Sequence, residues 1–347
     1  MKHALRSFSG RQRDSWCRNT QGGQNVTRAA SLHKPVLLDE VLSFYEPASG
    51  QRCLDATLGL GGHSEALLNK AREAKICDVV LLGLDRDPSA LELARERLSP
   101  FGGMVQTFYL PFSECDQAVA SLGWQGVDFI LADIGVSSMQ LDMPERGFSF
   151  MADGPLDMRM DTGAGITAET LVNTAPETEL RKLIDEYGEE PMAARIAKSI
   201  TDARQKRRIT TTLELAGLVE QAYPQKWRRN ARNHPATRTF QALRLAVNSE
   251  LSELKTFLIK AVSLLNPGGR LAVISFHSLE DRIVKHFFRE QATGCRCPKH
   301  VPYCVCNNKP SLKILTRKPV GPSERELVSN SRSKSAKLRV AEKVKHD

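Results

Sequence analysis

Residues 55–63 read Asp-Ala-Thr-Leu-Gly-Leu-Gly-Gly-His, with the glycines lying between an apolar stretch and a stretch of helical spacing. Glycine lets backbone approach a ligand where a Cβ would collide. Asp85 lies 23 residues after Gly62 and ends the apolar run Val79 to Leu84. A carboxylate there can accept hydrogen bonds from both hydroxyls of a ribose. The dinucleotide spacing G-x-G-x-x-G is not met, because Gly59, Gly61 and Gly62 are followed by His63. That spacing suits a nucleoside cofactor without a pyrophosphate better than a nicotinamide dinucleotide. A further acid, Asp133, ends a second apolar run, Val127 to Ala132.

These residues need a scaffold that puts strand ends side by side. Arg52 to Ala56, Val79 to Leu84, Met104 to Leu110, Val127 to Ala132 and Arg270 to Phe276 read as strands. Helical spacing follows at Ser64 to Arg72 and at Pro88 to Leu98, where an early Pro loses no hydrogen bond. Asn248 to Leu265 is an amphipathic helix with Asn266-Pro267-Gly268-Gly269 as its stop signal. Alternation of this kind predicts an α/β fold, a doubly wound and mostly parallel sheet with ligands at the carboxyl ends of its strands. More than a hundred residues separate the fourth and fifth strands. Glu177 to Tyr187, Pro191 to Lys206 and Thr212 to Ala222 read as helices there, so the stretch is predicted to be an inserted helical domain rather than a loop. The predicted boundaries are 31–141 and 241–347 for the sheet domain and 142–240 for the insertion.

The 347 residues carry a net charge of +9, and one segment holds all of it. Arg195 to Arg244 contains 12 Lys/Arg against three acids, while the remainder balances 37 basic against 37 acidic residues. Concentrated positive charge favours a polyanion through counterion release, so the insertion is predicted to bind nucleic-acid phosphates. Arg207, Arg208, Arg228, Arg229, Arg232 and Arg238 are its candidate contacts. Residues 1–30 hold six Arg/Lys, one acid and no apolar core, and read as a disordered basic leader. Such a leader is compatible with an organelle transit peptide or a loose extension on a bacterial protein. No apolar run approaches bilayer length, which predicts no membrane partner and a cytoplasmic location. Scattered cysteines suit reduced thiols. Cys295-x-Cys297 and Cys304-x-Cys306 could hold zinc, but their spacing is tighter than the usual C-x₂-C. Reduced thiols in a loop, and no metal, are the expectation from sequence.

Longer motifs are more specific than any glycine pattern. They include HKPVLLDE (33–40), GGHS (61–64), DRDP (85–88), DIGVSSMQLD (133–142), ERGFSF (145–150) and DGPLDMRMD (153–161). HPATRTFQALR (234–244) and SFHSLEDRIVK (275–285) complete the set. In this order they resemble the bacterial 16S rRNA (cytosine-N4)-methyltransferases, from His33 to about Glu342. The resemblance implies S-adenosylmethionine as cofactor and a cytidine amine in the decoding region of small-subunit rRNA as substrate, either as free rRNA or in the assembled subunit. It leaves a homodimer open. By resemblance, Gly61, Gly62 and His63 contact the methionine part, Asp85 the ribose and Phe112 the adenine, with Asp133 and Gln140 completing the pocket.

Asp133 is also the candidate catalytic acceptor, a role that stands beside cofactor binding. Many amine methyltransferases place Asp/Asn-Pro-Pro-aromatic after the fourth strand. This chain has Asp133-Ile134-Gly135-Val136-Ser137. Phe148, Phe150 or Phe276 could supply the missing aromatic. Carbon-5 methylation needs a cysteine nucleophile, and none lies between Cys115 and Cys295. Two other classes share parts of the pattern. A nicotinamide oxidoreductase would use the glycine turn and Asp85, and a non-catalytic RNA-binding assembly factor would use the charge.

Overall fold

The computed structural model describes residues 35–230, 234–295, 297, 303, 305, 306 and 308–345, without the side chains of Ser138 and residues 228–230. The leader, Arg232 and Cys304 therefore lie outside the described residues, as do the side chains of Arg228 and Arg229.

In chain order the first elements are α1 (Leu38–Ser43), β1 (Arg52–Asp55), α2 (Gly62–Glu73), β2 (Val80–Asp85), α3 (Pro88–Leu98), β3 (Val105–Tyr109), α4 (Cys115–Ser121) and β4 (Val127–Asp133). A helical series follows: α5 (Ser138–Asp142), α6 (Ala168–Thr174), α7 (Glu177–Gly188), α8 (Ala193–Arg204), α9 (Thr212–Ala222), α10 (Gln225–Asn230) and α11 (Ala236–Val247). The chain then returns through α12 (Glu250–Leu264), β5 (Leu265–Ser275), α13 (Ser278–Gln291), β6 (Leu312–Ile314), α14 (Glu324–Ser329) and β7 (Lys337–Lys343).

Two units result, 1–135 with 253–347, and Val136–Ser252. The helical unit extends past the predicted 142–240 at both ends. Val136 and Leu141 pack on its apolar core at one end, and Leu243, Ala246 and Val247 of α11 do so at the other.

The sheet runs β3-β2-β1-β4-β5-β7-β6. β1 to β5 are parallel, and β7 pairs antiparallel with both β5 and β6. The strand order reverses between β1 and β4, and a ligand crevice forms outside the carboxyl ends at such a switch point. Successive strand residues feed opposite faces. Cys53, Phe129, Leu131 and Ile274 join one core with α1, α2 and α3, whereas Leu54, Ile130, Ala132 and Val273 join another with α4, α12 and α13. A sheet buried on both faces requires continuous apolar strands, as VLLGL in β2 shows. β6 and β7 are absent from the sequence reading because three residues, and a strand that alternates Leu338 and Val340 with Arg339, give a weak signal.

The helical unit has its own core, with Leu180, Ile184, Ile196, Ile200, Leu215 and Val219 all buried. α9 begins with a capping box in which the Thr211 hydroxyl accepts from the Glu214 amide and the Glu214 carboxylate accepts in return. Buried Asn248 pins the DGPLDMRMD loop to the end of α11. Its Oδ1 accepts from Met160 N at 2.8 Å, and its Nδ2 donates to the carbonyls of Met158 and Arg244.

Candidate active site

The glycine turn works through two glycines. Gly61 is the N-cap of α2 with φ 75°, a left-handed conformation that L side chains adopt at a cost. At Gly62 a Cβ would lie 2.5 Å from Pro35 Cγ. Gly62→Ala is therefore expected to cost about 1–3 kcal/mol through overpacking against a rigid ring. A lowered urea midpoint, with the slope unchanged, is the measurement.

Acids end three adjacent strands. Asp55 of β1 is buried, accepting from Ser64 Oγ at 2.6 Å and Thr57 N at 3.3 Å. Asp85 of β2 ties the glycine turn to the next one: Oδ2 accepts from Gly59 N at 2.7 Å and Oδ1 from Asp87 N at 2.8 Å. The backbone of Asp133, on β4, donates to Thr57 Oγ1 at 2.6 Å. Its carboxylate Oδ1 is buried and has no hydrogen-bond partner among the described residues. Its Oδ2 faces His63 Nδ1 at 3.8 Å. The other ring nitrogen of His63 lies 2.9 Å from the Val36 carbonyl, an acceptor only, so Nε2 carries a proton and donates it.

A fourth acid arrives from α13. Glu280 is fully buried and accepts from the amides of Phe276 and His277 through Oε2. His277 caps the same helix and completes a capping box with Glu280.

Gathering these groups has a cost. Burial above all pushes the carboxyls of Asp55 and Asp85 up to about 6. Asp133 rises to about 8, through burial first and then the neighbouring charges of Asp55 and Glu280. Buried carboxyls that repel one another form a poor host for a pyrophosphate and a good one for a cation. A sulfonium with an attached ammonium fits this donor set, and a nicotinamide dinucleotide does not.

The remaining predicted residues divide between the units. Phe112 follows β3 and is half-buried, edge-on to Phe257 with ring centroids 5.3 Å apart. Gln140 belongs to the helical unit, where its Oε1 accepts from Ser137 N in the capping box of α5. Phe148 is buried in that unit's core, and Phe150 packs on His234 and Phe240. Phe276 is the aromatic beside the β4 turn: a Cβ on Gly135 would lie 3.3 Å from its ring. Among the arginines, Arg207 pairs with Glu214, Arg208 with Glu169 at 2.6 Å, and Arg238 donates to the Glu189 carbonyl. Asp55 and Glu280 are absent from the sequence-predicted set. Asp55 carried the same signal as Asp85, an acid closing an apolar strand, and Glu280 stood at the third helical position after His277.

A family model described as the MraW methylase family matches residues 30–344. The chain belongs to that family. "Ribosomal RNA small subunit methyltransferase H" of Nitratidesulfovibrio vulgaris (strain DP4) is 59% identical over 314 residues, 90% of this chain and 96% of that protein. The protein of the same name from Oleidesulfovibrio alaskensis is 56% identical over 324 residues, covering 93% and 98%. A solved rRNA methylase from Streptococcus thermophilus is far more distant, at 11% identity, 89% and 94% coverage and a TM-score of 0.36. As a MraW methylase the chain is a methyltransferase whose methyl donor is S-adenosylmethionine. The oxidoreductase alternative is thereby set aside.

Proposed function

We propose that this MraW methylase transfers a methyl group to the exocyclic N4 of a cytidine in small-subunit ribosomal RNA. The buried, unpartnered Oδ1 of Asp133 at the carboxyl end of β4 carries this reading. Cytosine N4 is a weak nucleophile because its lone pair is delocalised into the ring. It must be held in line with the methyl group, and its N–H needs an acceptor as positive charge develops on nitrogen. S-adenosylmethionine supplies the methyl group on an electron-poor sulfur. The Asp133 carboxylate is the acceptor for N4–H: Oδ1 is buried without a partner among the described residues, while the side chain as a whole keeps 20% exposure. N4 gains a methyl group and loses one proton, which the Asp133 carboxylate accepts.

In this reading Gly61, Gly62 and His63 hold the methionine part, Asp85 the ribose and Phe112 the adenine. Asp55 and Glu280 keep the site negative for a cationic donor. The names of the relatives support the RNA class, as does the basic segment of the helical unit. A structured RNA must also present its base unstacked.

The defining assay incubates the protein with S-adenosylmethionine and either naked small-subunit rRNA or assembled small subunits, followed by mass spectrometry of the digested nucleosides. N4-methylcytidine is the expected product. 5-Methylcytidine, or no modified nucleoside on either substrate, overturns the assignment.

Reversal of Arg228, Arg229 and Arg232 to Glu is expected to weaken RNA binding and spare cofactor affinity. The log–log salt slope should become shallower by about 0.7–0.9 for each phosphate that these side chains no longer neutralise. A slope equal to wild type would assign this run to solvent alone.

A further inference from the structure

We propose that Cys295, Cys297 and Cys306 are ligands of one structural zinc ion that closes the segment between α13 and β6. The three sulfurs lie within 4.8 Å of one another. The Cys306 and Cys295 sulfurs are 3.8 Å apart. Zinc–thiolate bonds of about 2.3 Å in tetrahedral geometry separate two sulfurs by roughly 3.8 Å, so this pair already has the spacing of one tetrahedron edge. Sequence spacing alone argued for ordinary thiols; the fold brings Cys306 to the Cys295-x-Cys297 pair.

Two backbone amides point at the sulfurs. Cys297 N donates to Cys295 Sγ at 3.4 Å, and Val305 N donates to Cys297 Sγ at 3.3 Å. Donors aimed at sulfur favour the thiolate, the form that binds metal, and orient it as an outer shell does.

The described residues of the segment are tied down mainly at its base. Twenty residues separate α13 from β6. At its base, Asn308 Nδ2 donates to the carbonyls of Thr293 and Gly294, and Ser311 bonds back to Gln291. Farther out, Cys295 and Cys306 are exposed, while Tyr303 and Val305 keep 81% and 74% of their surface. Described residues this exposed contribute little apolar burial, which leaves a role for a metal in shaping the segment. A fourth ligand beyond these three completes the zinc tetrahedron.

The test uses the full chain, purified under reducing conditions without chelator, with metals measured by mass spectrometry. About one zinc per chain is expected, as for a closed structural site. Cobalt in its place should give the thiolate-to-cobalt charge transfer of a tetrahedral site. Cys297→Ser and Cys306→Ser should each lower zinc content at least about tenfold, since a closed site has no ligand to spare. Their affinity for S-adenosylmethionine should stay at the wild-type value, which reports that the sheet is folded. Cys306→His should restore zinc, because imidazole is also a zinc ligand, whereas it would abolish any disulfide. A wild-type chain that holds no zinc and takes up none from added Zn²⁺, one that holds iron instead, or serine variants that keep their zinc would each overturn the proposal.

Discussion

Asp133→Asn is expected to lower the single-turnover rate at saturating S-adenosylmethionine by roughly 10²-fold or more, the scale of one missing transition-state hydrogen-bonding group. The substitution keeps the shape and one acceptor oxygen but removes the charge that, in the proposed reaction, receives the N4 proton. Cofactor affinity should change much less. A wild-type rate combined with weakened cofactor binding would reduce Asp133 to a cofactor ligand.

The pH dependence follows from the same environment. With its carboxyl raised to about 8, Asp133 is protonated over much of the neutral range, and the accepting form grows as pH rises through that value. The wild-type rate should climb accordingly, and the Asn variant should be flat. Stability moves the opposite way. The unfolded chain releases this proton near 3.8 and the native chain near 8, so the native state binds more protons between those values and loses stability as pH rises across them. Above about 8 the loss is complete. Asp133→Asn removes it, so the variant's urea midpoint should gain on wild type from about pH 5 to about pH 9. Parallel midpoints across that range would show that the carboxyl is not held protonated.

The second large effect is at Asp85. Asp85→Ala should weaken S-adenosylmethionine binding at least about tenfold and toward a hundredfold, because charge-assisted hydrogen bonds contribute about 1.5–3 kcal/mol each. The fold makes the effect greater than ribose hydrogen bonds alone would. The carboxylate that faces the ribose in the proposed site also accepts from Gly59 N, so its removal releases the glycine turn. Asp85→Asn retains one acceptor and should lie between alanine and wild type. Titration calorimetry on both variants is the measurement. Unchanged affinity in a folded Asp85→Ala protein would remove Asp85 from the site.

Much of the proposed site was legible locally. An apolar run closed by an acid marks a strand end in any parallel sheet, which is how Asp85 and Asp133 could be read without coordinates. The glycines of the turn announced themselves by composition, and the basic excess by its location between Arg195 and Arg244. The same local signal stood at Asp55, yet its weight comes from proximity. Its charge helps to raise Asp133, 78 residues further along the chain.

Periodicity and composition, then, were enough to determine the parallel sheet, its helical insertion and the acids at its strand ends, because each depends on neighbours a few residues away. Tertiary structure decided what those acids experience. Burial and mutual repulsion set the protonation of Asp133, and the Phe276 ring, just after β5, comes to lie beside Gly135 although it is 141 residues later in the chain. It also brought Cys306 to Cys295 and let Val136 and Val247 widen the helical unit. Desolvation and Coulomb forces depend on distances in space, and no spacing along a chain encodes those until the chain has packed.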